Sequence, residues 1–520
     1  MFVFYTFAVG VALLVYYYLL RKEDKTGEPP GKIMNIRKIT HLIMAKILQF
    51  CSGPKTLPIL GNLLDLIWAS SNMTQSLGIL AEKWGEIYTL QMGTKKTVVL
   101  TSKESMETVL SNESALGREV SGTVSDRAFH KPIGILASSG LYWETLRTWA
   151  FKNLKDFGFA KSVEMESFIQ TTAETLFNEI DTHIGTKKNS AAIQVDLLFH
   201  PSILTIMWQM CVGRLDPDDM PKIKILSEKG DRCLQSGVFG TGIVNAFPFL
   251  RRVFPNLLEY NIQMDYFNTC NAIAKRMYLD CEAKLKVTQK TKPSSLLEAF
   301  VLNTLNDKEM CNCENWQITF QDLIMGSTDT SSSFMEAFVL YLVAFPEAQE
   351  KVYQEVLKVA PNGGFPGYAD RSETPYTQAF IYEVHRNARV LQNLAPHLAT
   401  ADIKYKNYTI KKGTILLADT RLYSESKEVW GDPEVFRPER FLNEAGELMD
   451  PSWQSIVSFS FGRRNCPGEL HGKIVGYMFL AAFVLWYKVS IPMGQPLPRL
   501  DLKPGISSKP YPFEAVFTRR

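Results

Sequence analysis

The sequence predicts a mainly α fold with a smaller β region, preceded by an N-terminal transmembrane helix. Three observations lead there. Residues 1–20, MFVFYTFAVGVALLVYYYLL, carry no charge and are followed at once by Arg21-Lys22. Helical patterns recur at 75–84, 101–112, 142–156, 163–183, 201–213 and 255–285, whereas strand-like runs are short, as at 86–91 (EIYTLQ) and 96–100 (KTVVL). No internal repeat divides the 520 residues, so one large domain is expected over 53–520.

The N-terminal run has the length of a membrane span. Twenty helical residues reach about 30 Å, the thickness of a bilayer core. Tyr16, Tyr17 and Tyr18 suit an interfacial belt, and Arg21, Lys22 and Lys25 favour a cytosolic position for the rest of the chain. A cleaved signal peptide would carry a positive start and a small-residue cleavage site, and neither is seen. Residues 21–52 form a linker, longer than usual, that is polar at first and stiffened by Pro29-Pro30-Gly31. Its second half, 33–50 (IMNIRKITHLIMAKILQF), has an amphipathic pattern that suits either the membrane surface or the side of the domain. Gly53-Pro54 and residues 57–62 (LPILGN) give a rigid entry, and 287–295 (VTQKTKPSS) is the clearest flexible break.

Charge excludes some classes. Fifty-seven basic and 54 acidic side chains leave +3, too little to argue for nucleic acid. Eight cysteines are scattered with no disulfide framework, which favours a reducing compartment. Cys311 and Cys313 read as ordinary thiols.

Cys466 differs from the others. It lies in Phe459-Ser460-Phe461-Gly462-Arg463-Arg464-Asn465-Cys466-Pro467-Gly468, just before a helical-looking stretch from Glu469 to Val489. A thiolate in a rigid turn is an axial donor for haem iron, and backbone N–H groups around it stabilise its charge. Gly462 and Gly468 let the backbone approach a flat ring, and Arg464 offers a planar fork to a porphyrin carboxylate. The run resembles the haem-binding signature F-x-x-G-x-R-x-C-x-G of the cytochrome P-450 superfamily, and the resemblance extends over roughly residues 53–515. It implies the cytochrome P-450 fold, haem b as cofactor, Cys466 as the axial iron ligand, and Phe459 and Arg464 as cofactor contacts.

Further segments carry the same resemblance. Residues 322–343 read DLIMGSTDTSSSFMEAFVLYLV. On the residues alone, Thr330 would bond only its i−4 carbonyl, with Asp329 near a surface. The stretch is similar to the family's oxygen-activation motif A-G-x-D-T, with Gly326-Ser327 in place of Ala-Gly. That likeness implies Thr330 and Asp329 as catalytic proton donors, on a helix loosened beside Gly326 and Ser327. Glu383-x-x-Arg386 and the later 436–441 (FRPERF) resemble two elements that form a buried structural triad, here Glu383, Arg386 and Arg440. Trp143-x-x-x-Arg147, continued by 154–159 (LKDFGF), is similar to a helix of animal microsomal family-2 type enzymes. By that likeness Trp143, Arg147, Arg118 and His397 contact the haem propionates.

The resemblance implies a monooxygenase that inserts one atom of O2 into a substrate by hydroxylation or epoxidation. With no G-x-G-x-x-G, flavin or iron–sulfur module in the sequence, electrons are expected from NADPH-cytochrome P-450 reductase, with cytochrome b5 as an accessory donor. Lys152, Lys155, Lys161 and Arg463 are candidate contacts, or simply solvated charges. A single-pass position in the endoplasmic reticulum membrane, facing the cytosol, follows from the anchor and the family. Candidate pocket walls are Phe129, Ile133, Ile135 and Leu136 in loop 119–140, Phe239, Phe247 and Phe249 around 234–250, and Leu394. They favour a lipophilic guest: a steroid or ecdysteroid, terpenoid, fatty acid or xenobiotic. Two rivals stand beside this reading. One is a non-catalytic haem-binding membrane protein, towards which Gly326-Ser327 leans slightly. The other is a haem-thiolate isomerase or dehydratase, which would be expected to lose the Asp-Thr pair.

Overall fold

The computed structural model describes residues 53–57, 60–70, 73–93, 95–160, 162–236, 247–304, 307–449 and 456–520. The expected anchor, the 33–50 segment, Cys51, Lys161 and Phe239 lie outside them. The longer helices are α1 (Met73–Trp84), α2 (Lys103–Leu110), α3 (Gly140–Asp156), α4 (Ser162–Ile184), α5 (His200–Val212) and α6 (Met220–Gln235). They continue with α7 (Tyr260–Thr288), α8 (Leu296–Asn303), α9 (Cys313–Ala344), α10 (Pro346–Val359), α11 (Pro375–Ala388) and α12 (Glu469–Trp486).

Local chemistry sets their ends. Ser102 and Ser105 close a capping box at the start of α2. Asn312 caps α9 by accepting from the Asn315 N–H at 2.9 Å, so the helix begins well before the apolar run at Asp322. Pro346 opens α10, where its missing N–H costs nothing. Left-handed residues Glu259 and Gln289 bracket α7, which therefore starts later and ends later than its pattern suggested.

The strands are β1 (Ile87–Met92), β2 (Lys95–Leu100), β3 (Ser190–Gln194), β4 (His397–Leu398), β5 (Ile403–Tyr405), β6 (Tyr408–Ile410), β7 (Ile415–Ala418), β8 (Tyr487–Ser490) and β9 (Glu514–Arg519). One sheet has the order β1-β2-β7-β4, with β2 and β7 parallel. A second has the order β3-β9-β8, and β5 and β6 form a hairpin.

The largest core surrounds α9, which packs against α5, α7 and α12. Polar side chains fix its register on α7: Trp316 Nε1 donates to the Ala274 carbonyl at 3.0 Å and Gln317 Nε2 to the Asn271 carbonyl at 2.9 Å. Helix α12 is long and apolar enough to cross a membrane, yet it is largely buried inside this core. It ends at Trp486, and Tyr487 begins β8.

A second constraint is ionic. Arg386 grips Glu383 with two bonds of 2.8 Å, and Arg440 Nε donates to Glu383 Oε1 at 3.0 Å. The same oxygen accepts the Arg437 N–H at 2.9 Å. Arg386 and Arg440 use their remaining N–H groups on the carbonyls of Ser424, Pro433, Trp430 and Val435. These bonds tie α11 to the 424–440 segment.

Removing the shared carboxylate strands the buried Arg386 guanidinium, whereas Arg440 keeps Asp432 Oδ1 at 3.1 Å. Glu383→Ala is expected to cost about 3–5 kcal/mol in urea unfolding and to release cofactor; wild-type stability would contradict the role. Glu336, buried on α9, accepts the Leu197 N–H at 2.9 Å, and burial pushes its carboxyl up to about 8. A carboxyl raised in the fold contributes stability that is lost as pH rises through that value. Glu336→Gln should therefore flatten the fall in melting temperature between acidic pH and about pH 8, and raise the melting temperature on the alkaline side. An unchanged slope would contradict it.

Candidate active site between Cys466 and helix α9

The segment before α12 is folded by two left-handed residues. Ser460 has φ 61° and Gly462 φ 67°, and a Cβ at Gly462 would lie 2.6 Å from the Ser111 Cα. Only glycine fits there. The Cys466 N–H donates back to the Phe459 carbonyl at 2.8 Å, closing the loop. Burial raises the Cys466 thiol, while the Gly468 N–H on its sulfur and nearby Arg147 act in the opposite sense. Burial dominates at the other described thiols too: Cys270 is pushed up to about 12 and Cys281 and Cys311 to about 11, with Cys211, Cys233 and Cys313 also raised.

Beside this loop the fold gathers cations. Arg464 donates to the Leu116 carbonyl at 2.8 and 3.0 Å and to the Ser138 carbonyl at 2.6 Å, and its guanidinium lies 3.7 Å from the Trp143 ring centroid. Arg147, one turn along α3 from Trp143, donates to the Asn465 carbonyl at 2.9 Å. Arg118 reaches the carbonyls of Ala395 and Pro396 at 3.0 and 2.6 Å. Paired bonds between Gly117 and Leu398 bring it beside His397, whose Nδ1 lies 2.8 Å from the Ala115 carbonyl. Thus Trp143, Arg147, Arg118, His397 and Arg464, scattered in sequence, come together.

None of these hydrogen bonds goes to a carboxylate. Burial and then mutual repulsion lower the pKa of Arg118 and Arg464, and burial together with both guanidinium groups depresses His397. Trp143 Nε1 and Arg118 Nε are buried without a hydrogen-bond partner. A cationic patch with spare donors fits a group carrying two carboxylates, as haem b does with its propionates. The residues present fit that cofactor.

Helix α9 runs unbroken past Gly326 and Ser327, contrary to the loosening the sequence suggested. Ser327 Oγ donates to the Leu323 carbonyl at 2.8 Å and Thr330 Oγ1 to the Gly326 carbonyl at 3.0 Å. Both hydroxyls therefore satisfy themselves within the helix, which keeps its geometry. Gly326 and Thr330, one turn apart, form a less buried stripe. Asp329 lies on a different face. Its Oδ1 is 2.8 Å from His200 Nε2, with both side chains deeply buried. Burial raises the Asp329 carboxyl and His200 opposes the rise.

Of the candidate wall residues, Ile135 and Leu394 are buried and Ile133, Leu136 and Phe247 half-buried. Phe129 and Phe249 are exposed, Phe129 on a left-handed turn. The loop is held by groups with no sequence signal of their own. Asp322 Oδ2 accepts the N–H groups of Ile135 and Leu136 at 2.7 and 2.8 Å, and its Oδ1 pairs with buried Arg127 at 2.7 Å. Lys152 and Lys155 are exposed on α3, and half-exposed Arg463 pairs with Glu113 and Glu144.

The comparisons agree with this geometry. The family model for cytochrome P450 matches residues 51–517. Farnesoate epoxidase of Bombyx mori is 28% identical over 473 residues, covering 90% of this chain and 93% of that protein. Cytochrome P450 2E1 of Mesocricetus auratus is 29% identical over 83% of this chain and 85% of its own. Cytochrome P450 2L1 of Panulirus argus is 25% identical over 87% and 92%. The animal family-2 relatives extend the likeness beyond the haem loop. This chain belongs to the cytochrome P450 family, which makes it an oxidoreductase of the monooxygenase type with haem b as the family's cofactor.

Proposed function

We propose that this chain is a microsomal haem-thiolate monooxygenase acting on a lipophilic, isoprenoid-like substrate. The observation that carries the reading is the meeting of the Cys466 loop with a cationic patch bonded to carbonyls and not to carboxylates. Bound haem b supplies oxygen activation, with a thiolate donating the electron density that favours O–O cleavage. Cys466 would hold the iron, steadied by the Gly468 N–H. Trp143, Arg147, Arg118, His397 and Arg464 would hold the propionates, and Phe459 would lie against the proximal side. Such chemistry consumes two protons per O2. Thr330 can release its bond to the Gly326 carbonyl and offer its hydroxyl from the less buried stripe, and Asp329 would supply a proton behind it. Both residues are present, which favours monooxygenation over isomerisation, dehydration or haem storage.

The substrate class has two supports. Ile133 and Leu136, half-buried in the 119–140 loop, would offer apolar surface to a guest, contributing about 25 cal/mol per Å² of apolar surface covered. The likeness to farnesoate epoxidase puts farnesoate and similar isoprenoids ahead of steroids, fatty acids and xenobiotics as the first compounds to screen. Electrons would come from NADPH-cytochrome P450 reductase, with cytochrome b5 as accessory donor and Lys152, Lys155 and Arg463 as docking contacts. Residues 1–20 would anchor the chain in the endoplasmic reticulum membrane, followed by the 21–52 linker and a cytosolic domain over 53–520.

The reduced protein with carbon monoxide should show the red-shifted Soret band of thiolate ligation, and Cys466→His should lose it. A histidine-type spectrum in the wild type would overturn the assignment. An isoprenoid panel, scored by the binding-induced spectral shift and then by turnover with reductase, tests the substrate class. Exclusive binding of small charged metabolites would refute it. Thr330→Ala should bind substrate like the wild type yet lower product per NADPH by about tenfold, with peroxide released instead. Unchanged coupling would remove Thr330 from the mechanism.

A further inference from the structure

Asp329 faces away from the stripe shared by Gly326 and Thr330, towards α5 and α6. Its partner there is His200, the first residue of α5, at 2.8 Å. The other ring nitrogen, His200 Nδ1, is buried without a hydrogen-bond partner. Beyond lies a second charged group. Lys509 Nζ reaches Asp196 Oδ1 at 2.7 Å and also pairs with Asp231. Lys509 is 6% exposed, whereas Asp196 and Asp231 are 26% and 20% exposed, so this cluster opens to solvent. Asp231 and Lys509 both act on the Asp329 carboxyl, which makes the two groups electrostatic neighbours.

We propose that His200 is the positioning and proton-relay partner of Asp329, drawing protons from solvent through the Asp196–Asp231–Lys509 cluster. The idea rests on the reading of Asp329 and Thr330 given above. In each delivery the Asp329 carboxyl gives up its proton towards Thr330 through an intervening water. The His200 Nε2–H replaces it, His200 Nδ1 takes one proton from water at the cluster, and a turn of the ring presents an N–H to Asp329 again before the next delivery. One proton enters for each one delivered, and no electron moves. Helix α6 packs directly on the pair at Gly230, where even a Cβ would already touch Tyr266 Cε2 at 3.4 Å, His200 Cε1 at 3.7 Å and Asp329 Oδ1 at 3.8 Å. Other titratable groups face the pair. Cys233 on α6 and Tyr266 on α7 are kept protonated by burial, with Arg127 acting on both, and Glu336 on α9 is bonded to the Leu197 N–H. The relay is thereby left to the imidazole.

The test uses the full-length holoenzyme with reductase and a compound it turns over. His200→Gln keeps a donor for Asp329 but cannot pass a proton from one atom to the other. It should retain the carbon monoxide band and the substrate-induced shift, lose about tenfold in product per NADPH, and show a larger solvent isotope effect. Independently of turnover, 15N-histidine spectra of the reduced carbon monoxide form should show the His200 signal moved by Asp329→Asn, with buried His471 unmoved. Wild-type coupling and solvent isotope effect in His200→Gln, or a His200 signal indifferent to Asp329→Asn, would overturn the relay. If His200→Gln fails to hold haem, the spectra of the wild type and Asp329→Asn decide. A wild type that oxidises nothing would instead overturn the function proposed above.

Discussion

Unbalanced positive charge is the constraint around which this site is assembled. Arg464 leaves the cysteine loop to bond the carbonyls of Leu116 and Ser138, Arg147 leaves α3 to bond Asn465, and Arg118 leaves the Gly117 bridge to bond the strand edge at Ala395 and Pro396. Each guanidinium crosses from one element to another, so the loop, α3, the 113–139 segment and β4 converge on one patch. Carbonyl oxygens hold the arginines in place without cancelling their charge. The patch is therefore organised yet electrostatically incomplete, which is what a preformed site for a dianionic cofactor requires.

Helix α9 supplies the opposing wall and has a distinct task on each face. Towards α7 it is fastened by Trp316, Gln317 and Gln321, whose side chains bond carbonyls of the neighbouring helix. Towards the 119–139 segment it offers Asp322, which collects two N–H groups and buried Arg127. Just beyond these fixed points lies the stripe of Gly326 and Thr330, where the helix satisfies its own hydroxyls. Anchoring of the preceding turns leaves this turn free to serve chemistry rather than packing.

Much of this was legible in sequence because it is local. The cysteine run, Glu383-x-x-Arg386, residues 436–441 and Trp143-x-x-x-Arg147 keep fixed spacing, and a turn or one helical face turns spacing into geometry. Pairing between distant single residues could not be read in the same way. Nothing in the neighbourhood of His200 announces Asp329, and nothing around Arg127 announces Asp322, since one histidine or arginine has no pattern until the chain folds. The expected loosening at Gly326 failed for a related reason. Ser327 and Thr330 bond carbonyls of their own helix, and tertiary packing on both sides overrides the weak local preference of glycine. Phe129 and Phe249 show the limit of composition: both are apolar, and both stand in solvent.

The distribution of thiols carries a consequence for how the chain acquires its iron. Cys211, Cys233, Cys270 and Cys311 are buried where ionisation is strongly opposed, so they offer no soft anion to a metal, an oxidant or an alkylating reagent. Cys466 alone among the described cysteines has both a backbone N–H on its sulfur and an arginine drawing its proton away. Chemoselectivity among the described thiols thus rests on the groups that the loop places around Cys466. Mislabelling at these four buried thiols would report that the core had opened before the cofactor arrived.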